Sequence, residues 1–139
     1  MAEEELQKKY IELQTKEHQL QRINEQLTNI LHHIGELKVV EDTLNEIKKT
    51  KEGTEVLVPL GSGIFAKANL KDNKKLNISV GSKVNVVKSL DETKDLVNKQ
   101  IKNMGDLALE VEHNMHEMSK DMQNIQQELL KGMQEVDKN

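Results

Sequence analysis

From Leu90 to Val136 the sequence returns a seam residue at alternating steps of four and three: Leu90, Lys94, Val97, Ile101, Met104, Ala108, Val111, Met115, Met118, Met122, Ile125, Leu129, Gly132 and Val136. About seven heptads hold one frame, a length that argues for coiled coil far more than for a globular amphipathic helix. A candidate partner lies upstream, where Leu6, Leu13, Leu20, Leu27 and Ile34 recur every seven residues. Tyr10 accompanies this row early, and Ile23, Ile30, Leu37 and Leu44 accompany it later. The companion row changes sides near Leu20, with Glu17 and Asn24 at positions that call for apolar residues. The terminal half of the first helix is therefore expected to be less well sealed. Proline is absent from both segments, as long helices require.

Composition agrees with this constraint. Only 35% of the 139 residues are hydrophobic, with one Tyr, one Phe and no Trp, a poor supply for a globular core. Charged residues make up 32%, and 20 Lys+Arg against 24 Asp+Glu leave a net charge of -4. There is no basic field of the kind a nucleic-acid binder shows. The acidic start Met1-Ala2-Glu3-Glu4-Glu5 also sets aside a DNA-binding zipper, which carries a basic region just upstream of its heptads. The absence of cysteine excludes disulfides, zinc-thiolate sites and thiol catalysis. The N-terminus lacks the features of a signal peptide, and no apolar run approaches the ~20 residues of a membrane span. The expectation is a soluble, cytoplasmic protein without membrane contact.

Helix signals in the first segment run to about Lys51, with Lys48, Lys49 and Lys51 suited to the negative end of the helix dipole and Gly53 ending the element. A helix of that length spans roughly 70 Å. Ser89 is a candidate N-cap for the second, followed by Asp91 and Glu92. Between the two, the period changes to two: Ile64, Ala66, Ala68 and Leu70 alternate with Phe65, Lys67, Asn69 and Lys71, and Leu76, Ile78 and Val80 with Asn77 and Ser79. Turns at Gly61-Ser62-Gly63, Asp72-Asn73-Lys74 and Gly81-Ser82 predict four strands, about 55–60, 64–70, 76–80 and 83–88, in two hairpins. The organisation read from the sequence is an N-terminal coiled-coil helix over 1–52, a hairpin region over 53–89 and a C-terminal coiled-coil helix over 90–139, together one domain. The fold class is α+β, mostly α: a long antiparallel coiled-coil hairpin carrying two short β-hairpins at its base.

The stretch Gly61-Ser62-Gly63-Ile64-Phe65-Ala66 matches G-x-G-x-x-A, the spacing of a dinucleotide-binding loop. That chemistry requires a helix directly after the glycines, so that backbone N–H groups face a pyrophosphate. Here a strand pattern follows instead, and the motif reads as a hairpin turn with no cofactor. Two hairpins are marginal in water unless they join a larger sheet. Val56, Val58, Ile64, Ala66, Ala68, Leu70, Leu76, Ile78, Val80, Val84 and Val86 are accordingly expected to mediate oligomerisation.

Aligning Leu44 with Leu90 and Lys94 and stepping along both seams puts Leu27 near Val111 and Leu13 near Ile125, with Gly35 and Gly105 at one level. A paired glycine is a candidate bend, because glycine costs a helix about 1 kcal/mol relative to alanine. Met104, Met115, Met118 and Met122 sit on the seam and read as core. Leu6, Tyr10, Leu13, Leu129, Leu130 and Met133 collect at the terminal end and form a candidate adaptable apolar surface. His113 and His116, flanked by Glu112 and Glu117, read as solvated, since helical metal pairs need further ligands from a facing element; so do the adjacent His32 and His33. A two-helix rod offers no pocket for a catalytic constellation, so an enzyme is not expected.

An antiparallel coiled coil interrupted by two β-hairpins, with the phrases VLVPLGSGIFAKANL and ISVGSKVNVVKSLDE, resembles the α-type subunit of prefoldin over essentially the whole chain. Four strands favour the α class, because the β class has a single hairpin. The resemblance implies an α2β4 hexamer with prefoldin β subunits, in which hairpins merge into a β-barrel platform. It further implies an ATP-independent holdase that binds non-native protein clients at its distal tips and delivers them to a group II chaperonin. The alternative is a structural coiled-coil scaffold or filament-forming protein assembled through the same hairpins.

Overall fold

The structure is a computed structural model that describes residues 2–137; Met1, Lys138 and Asn139, the outer ends of the two sequence segments, lie outside the described residues. Its elements are α1 (Ala2–Lys49), β1 (Glu55–Gly61), β2 (Ile64–Asn69), β3 (Lys75–Ser79), β4 (Asn85–Ser89) and α2 (Leu90–Asp137). The two helices have the same length, 48 residues. The chain divides into two compact units, one of Met1–His33 with Met104–Asn139, the other of Ile34–Asn103.

In the first unit α1 and α2 run antiparallel. Lys9 Nζ lies 2.7 Å from Glu128 Oε2 and Lys16 Nζ lies 3.8 Å from Asp121 Oδ2, a step of one heptad on both helices. Leu13, Ile30, Ala108, Val111 and Ile125 are buried along the seam. The seam of α2 follows the frame read from its sequence. The seam of α1 departs from expectation: Lys9 and Lys16 continue the row of Ile23 and Ile30 without a change of side, while Tyr10 and Glu17 face solvent. The aliphatic stems of the lysines cover the seam and their ammonium groups turn out to carboxylates on α2.

In the second unit Leu37, Leu44, Leu90 and Val97 are buried. Lys48 Nζ, in the last turn of α1, donates to Asp91 Oδ1 at 3.0 Å. Ser89 caps α2 as its sequence predicts, its Oγ accepting from Glu92 N at 3.1 Å. α1 ends at Lys49, two residues earlier than its helix signals, because the chain turns at once into a loop in which Gly53 takes φ +88°.

The hairpin region forms two separate two-stranded antiparallel sheets, β1 with β2 and β3 with β4. Val56 faces Ala68 and Val58 faces Ala66 in the first; Leu76 faces Lys88 and Ile78 faces Val86 in the second. Gly61 (φ +118°) and Gly63 (φ +77°) lie in a strand-to-strand turn, with Leu60 set out of register between Pro59 and Gly61. The second hairpin turns on Ser82 and Lys83, both at positive φ, so β4 begins two residues later than the alternation suggests. Asp72 anchors the link between hairpins: its Oδ1 accepts from Lys74 N at 2.8 Å and Lys75 N at 3.2 Å. These bonds hold the Asp72 carboxyl below the usual carboxylate range.

Candidate functional site

The start of α1 and the end of α2 meet in the first unit. A heptad places Leu6 and Leu129 on facing seams near their ends, and both are only half-buried. Tyr10 follows Lys9 on α1 and Met133 follows Gly132 on α2, which puts both on the flank of the seam. Together with Glu3, Gln7 and Ile11 these residues line an open groove of about 480 Å³. Tyr10 is 55%, Ile11 61% and Met133 58% exposed. Such a surface is apolar yet outside the core, and it combines a thioether with an aromatic ring, side chains that adapt to varied partners.

Four of the six residues selected from the sequence, Leu6, Tyr10, Leu129 and Met133, thus share one groove. Leu130 is exposed on α2 but does not line it, and Leu13, at 8% exposure, belongs to the seam beneath. Ile11 was missed, because it belongs to neither apolar row of α1; two apolar residues in a row, Tyr10-Ile11, were the available signal.

On another side of the same terminal end, Lys9 and Glu128 line a smaller polar recess with Glu5, Lys131 and Glu135. The hydrogen bond that Lys9 donates to Glu128 is the main cause that holds its ammonium above its usual pKa, ahead of the opposing desolvation and the fields of Glu128, Glu5 and Glu12.

The second candidate surface is the hairpin region. Val56, Ala66, Ala68, Leu70, Leu76, Ile78 and Val86 are half-buried, whereas Val58, Ile64, Val80 and Val84 are exposed. The opposite faces expose Leu57, Phe65 and Val87, with Leu60 at the bulge. The sequence reading assumed one apolar face per hairpin; both faces carry apolar side chains. Among the described residues no group of three or more His, Asp or Glu is placed to hold a metal ion, and no helix is long and apolar enough to cross a membrane.

Residues 16–135 match the family model described as Prefoldin subunit. The chain belongs to the prefoldin family. Among curated prefoldins it is similar to Prefoldin subunit alpha of Methanococcus maripaludis strain C7, with 35% identity over 113 residues, 71% of this chain and 76% of that protein. Prefoldin subunit alpha of Pyrococcus horikoshii is 34% identical over 99 residues, 70% of this chain and 67% of that one. In fold it is similar to a chain of filamentous PFD from Methanocaldococcus jannaschii, solved by cryo-EM, with a TM-score of 0.73 and 22% identity over 83% of this chain and 95% of the other. Prefoldins are chaperone subunits rather than enzymes, and the α-type relatives place this chain in the class that its four strands favour.

Proposed function

We propose that this chain is an α-type prefoldin subunit of the cytoplasm that joins prefoldin β subunits through its hairpins, as an α2β4 hexamer, and holds non-native proteins without ATP. Leu6, Tyr10, Ile11, Leu129 and Met133 form the client surface, with Leu130 beside them and Leu13 supporting them from the seam. The observation that carries this reading is the groove: exposed apolar side chains gathered where two helix seams run out. Contacts of this kind are individually weak and act together through avidity when several arms engage one client. Release to a group II chaperonin then needs no nucleotide in this chain, since no single tight site has to be broken.

The hairpin residues Val56, Val58, Ile64, Ala66, Ala68, Leu70, Leu76, Ile78, Val80, Val84 and Val86 supply the assembly surface, because each two-stranded sheet leaves both edges open to a partner strand. Those open edges also favour a second reading, a filament or scaffold that assembles through the hairpins and has no affinity for unfolded chains.

The test is light scattering from a chemically denatured client diluted into buffer with the assembled complex and no ATP. Suppression is expected, and it should vanish when Leu6, Tyr10, Leu129 and Met133 are replaced by Ser while native mass spectrometry reports an unchanged assembly. Suppression that survives these changes overturns the groove as the client surface. Polydisperse high mass without a β partner, and no suppression, supports the filament.

A further inference from the structure

Charge is divided unevenly between the two units. Residues 1–33 and 104–139 carry seven Lys and Arg against fourteen Asp and Glu, a net charge of -7, whereas residues 34–103 carry thirteen against ten, a net charge of +3. The acidic unit is the one that holds the groove. Glu3, Glu4 and Glu5 occupy the first turn of α1, where the helix dipole by itself favours acids. The end of α2 has no such explanation. Its last turn contains no basic residue, and it carries Glu135 and Asp137 where the dipole favours cations.

None of the described cations at this end, Lys8, Lys9 and Lys131, lines the groove. Lys9 is engaged with Glu128, and Lys9, Lys131, Glu5 and Glu135 all line the recess on another side, so that their charges nearly balance there. Of the described residues lining the groove itself, Glu3 alone is charged. An apolar slot with an acidic rim is poorly suited to nucleic acid or an anionic lipid surface. A second copy of this chain would bring the same negative terminal end to it.

We infer that the groove selects cationic clients: segments of non-native proteins in which apolar residues are flanked by Lys or Arg. This rests on the holdase reading given above and names its substrate class. The apolar slot supplies affinity that is indifferent to sequence, and the acidic rim supplies encounter rate and discrimination. The rim acts within about a Debye length, on the order of 10 Å at 0.1 M salt, so flanking charges within a few residues of the apolar segment are felt and more distant ones are not.

The chain has no cysteine, so Gln7→Cys in this subunit gives a single point on it for an environment-sensitive dye at the groove. The labelled subunit is assembled with β partners and titrated with two peptides that share one apolar segment, flanked by Lys in one and by Glu in the other. The Lys-flanked peptide is expected to bind about tenfold more tightly at low salt, the preference fading as salt screens the rim. Glu3→Gln removes the one charged side chain that lines the groove, Asp137→Lys suits the end of α2 electrostatically, and the pair is expected to cut the preference at least by half on the logarithmic scale. Equal binding at every salt concentration, or a preference for the Glu-flanked peptide, overturns the charge selection and leaves the groove reading intact. Binding of neither peptide overturns the groove reading itself.

Discussion

Leu6 on α1 occupies the space that a side chain at Gly132 on α2 would fill. A Cβ placed there would collide with Leu6 Cδ2 and come within 3.5 Å of its Cγ. Glycine at this seam position gives up about 1 kcal/mol of helix propensity and lets Leu6 lie against the α2 backbone at the floor of the groove. Gly132→Ala forces Leu6 to move, so its effect should depend on Leu6. The expected outcome is a coupling of about 1 kcal/mol or more between Gly132→Ala and Leu6→Ala in thermal unfolding of the assembled complex. Strict additivity would disprove the contact.

Lys16 stands, like Lys9 one heptad before it, in the seam row that Ile23 and Ile30 continue. Lys16→Leu is expected to stabilise the complex by about 1 kcal/mol, since a half-buried apolar side chain replaces a charged one. Asp121, 60% exposed at its side chain, loses a screened surface ion pair of small value. Melting curves taken at several salt concentrations test this, and the variant should also lose part of its salt dependence. A lower melting temperature at high salt would contradict it.

Asp72 makes the junction between hairpins sensitive to acid. Its folded carboxyl lies below the ordinary value because two backbone N–H groups bond the ionised form. The stability it lends is therefore full above the unfolded carboxylate range and is lost as pH falls through the depressed folded value. Asp72→Asn keeps an acceptor but no titration, and should flatten this part of the pH profile of assembly; Asp72→Ala should weaken assembly at neutral pH as well. Identical profiles for all three chains would count against the role.

Gly35 and Gly105 differ from Gly132. A Cβ at either meets nothing within 4 Å, and neither has a positive φ. The division between the two compact units falls within two residues of each. Replacing both with Ala is expected to add about 1 kcal/mol of helix stability per site. It should also narrow the distance distribution between spin labels at residues of the first unit and the second; an unchanged width would mean the glycines do not loosen the helices.

The second helix could be read almost residue by residue, since one face of a helix repeats in the sequence whatever its partner is. The first helix could not. Tyr10 is more apolar than Lys9, and counting apolar residues assigns the seam to Tyr10. The choice is made by Glu128 and Asp121, which receive the ammonium groups of Lys9 and Lys16 from across the helix pair. That information lies more than a hundred residues away. The groove was legible in part for the same reason. Leu6 and Leu129 follow from the frame, whereas Ile11 lines the slot only because the seam stops at Leu6 and Gly132. In the hairpins, alternation located the strands but not their exposure, since Leu57 and Phe65 sit on a face that a lone sheet would give to solvent.

Each of the four strands pairs on one side only, and that leaves a row of unsatisfied backbone donors and acceptors along every outer edge. A newly made copy is thus an orphan that any complementary strand can capture, rightly or wrongly. The outer edges of the hairpins are thus adhesive along their length until a complementary strand covers them.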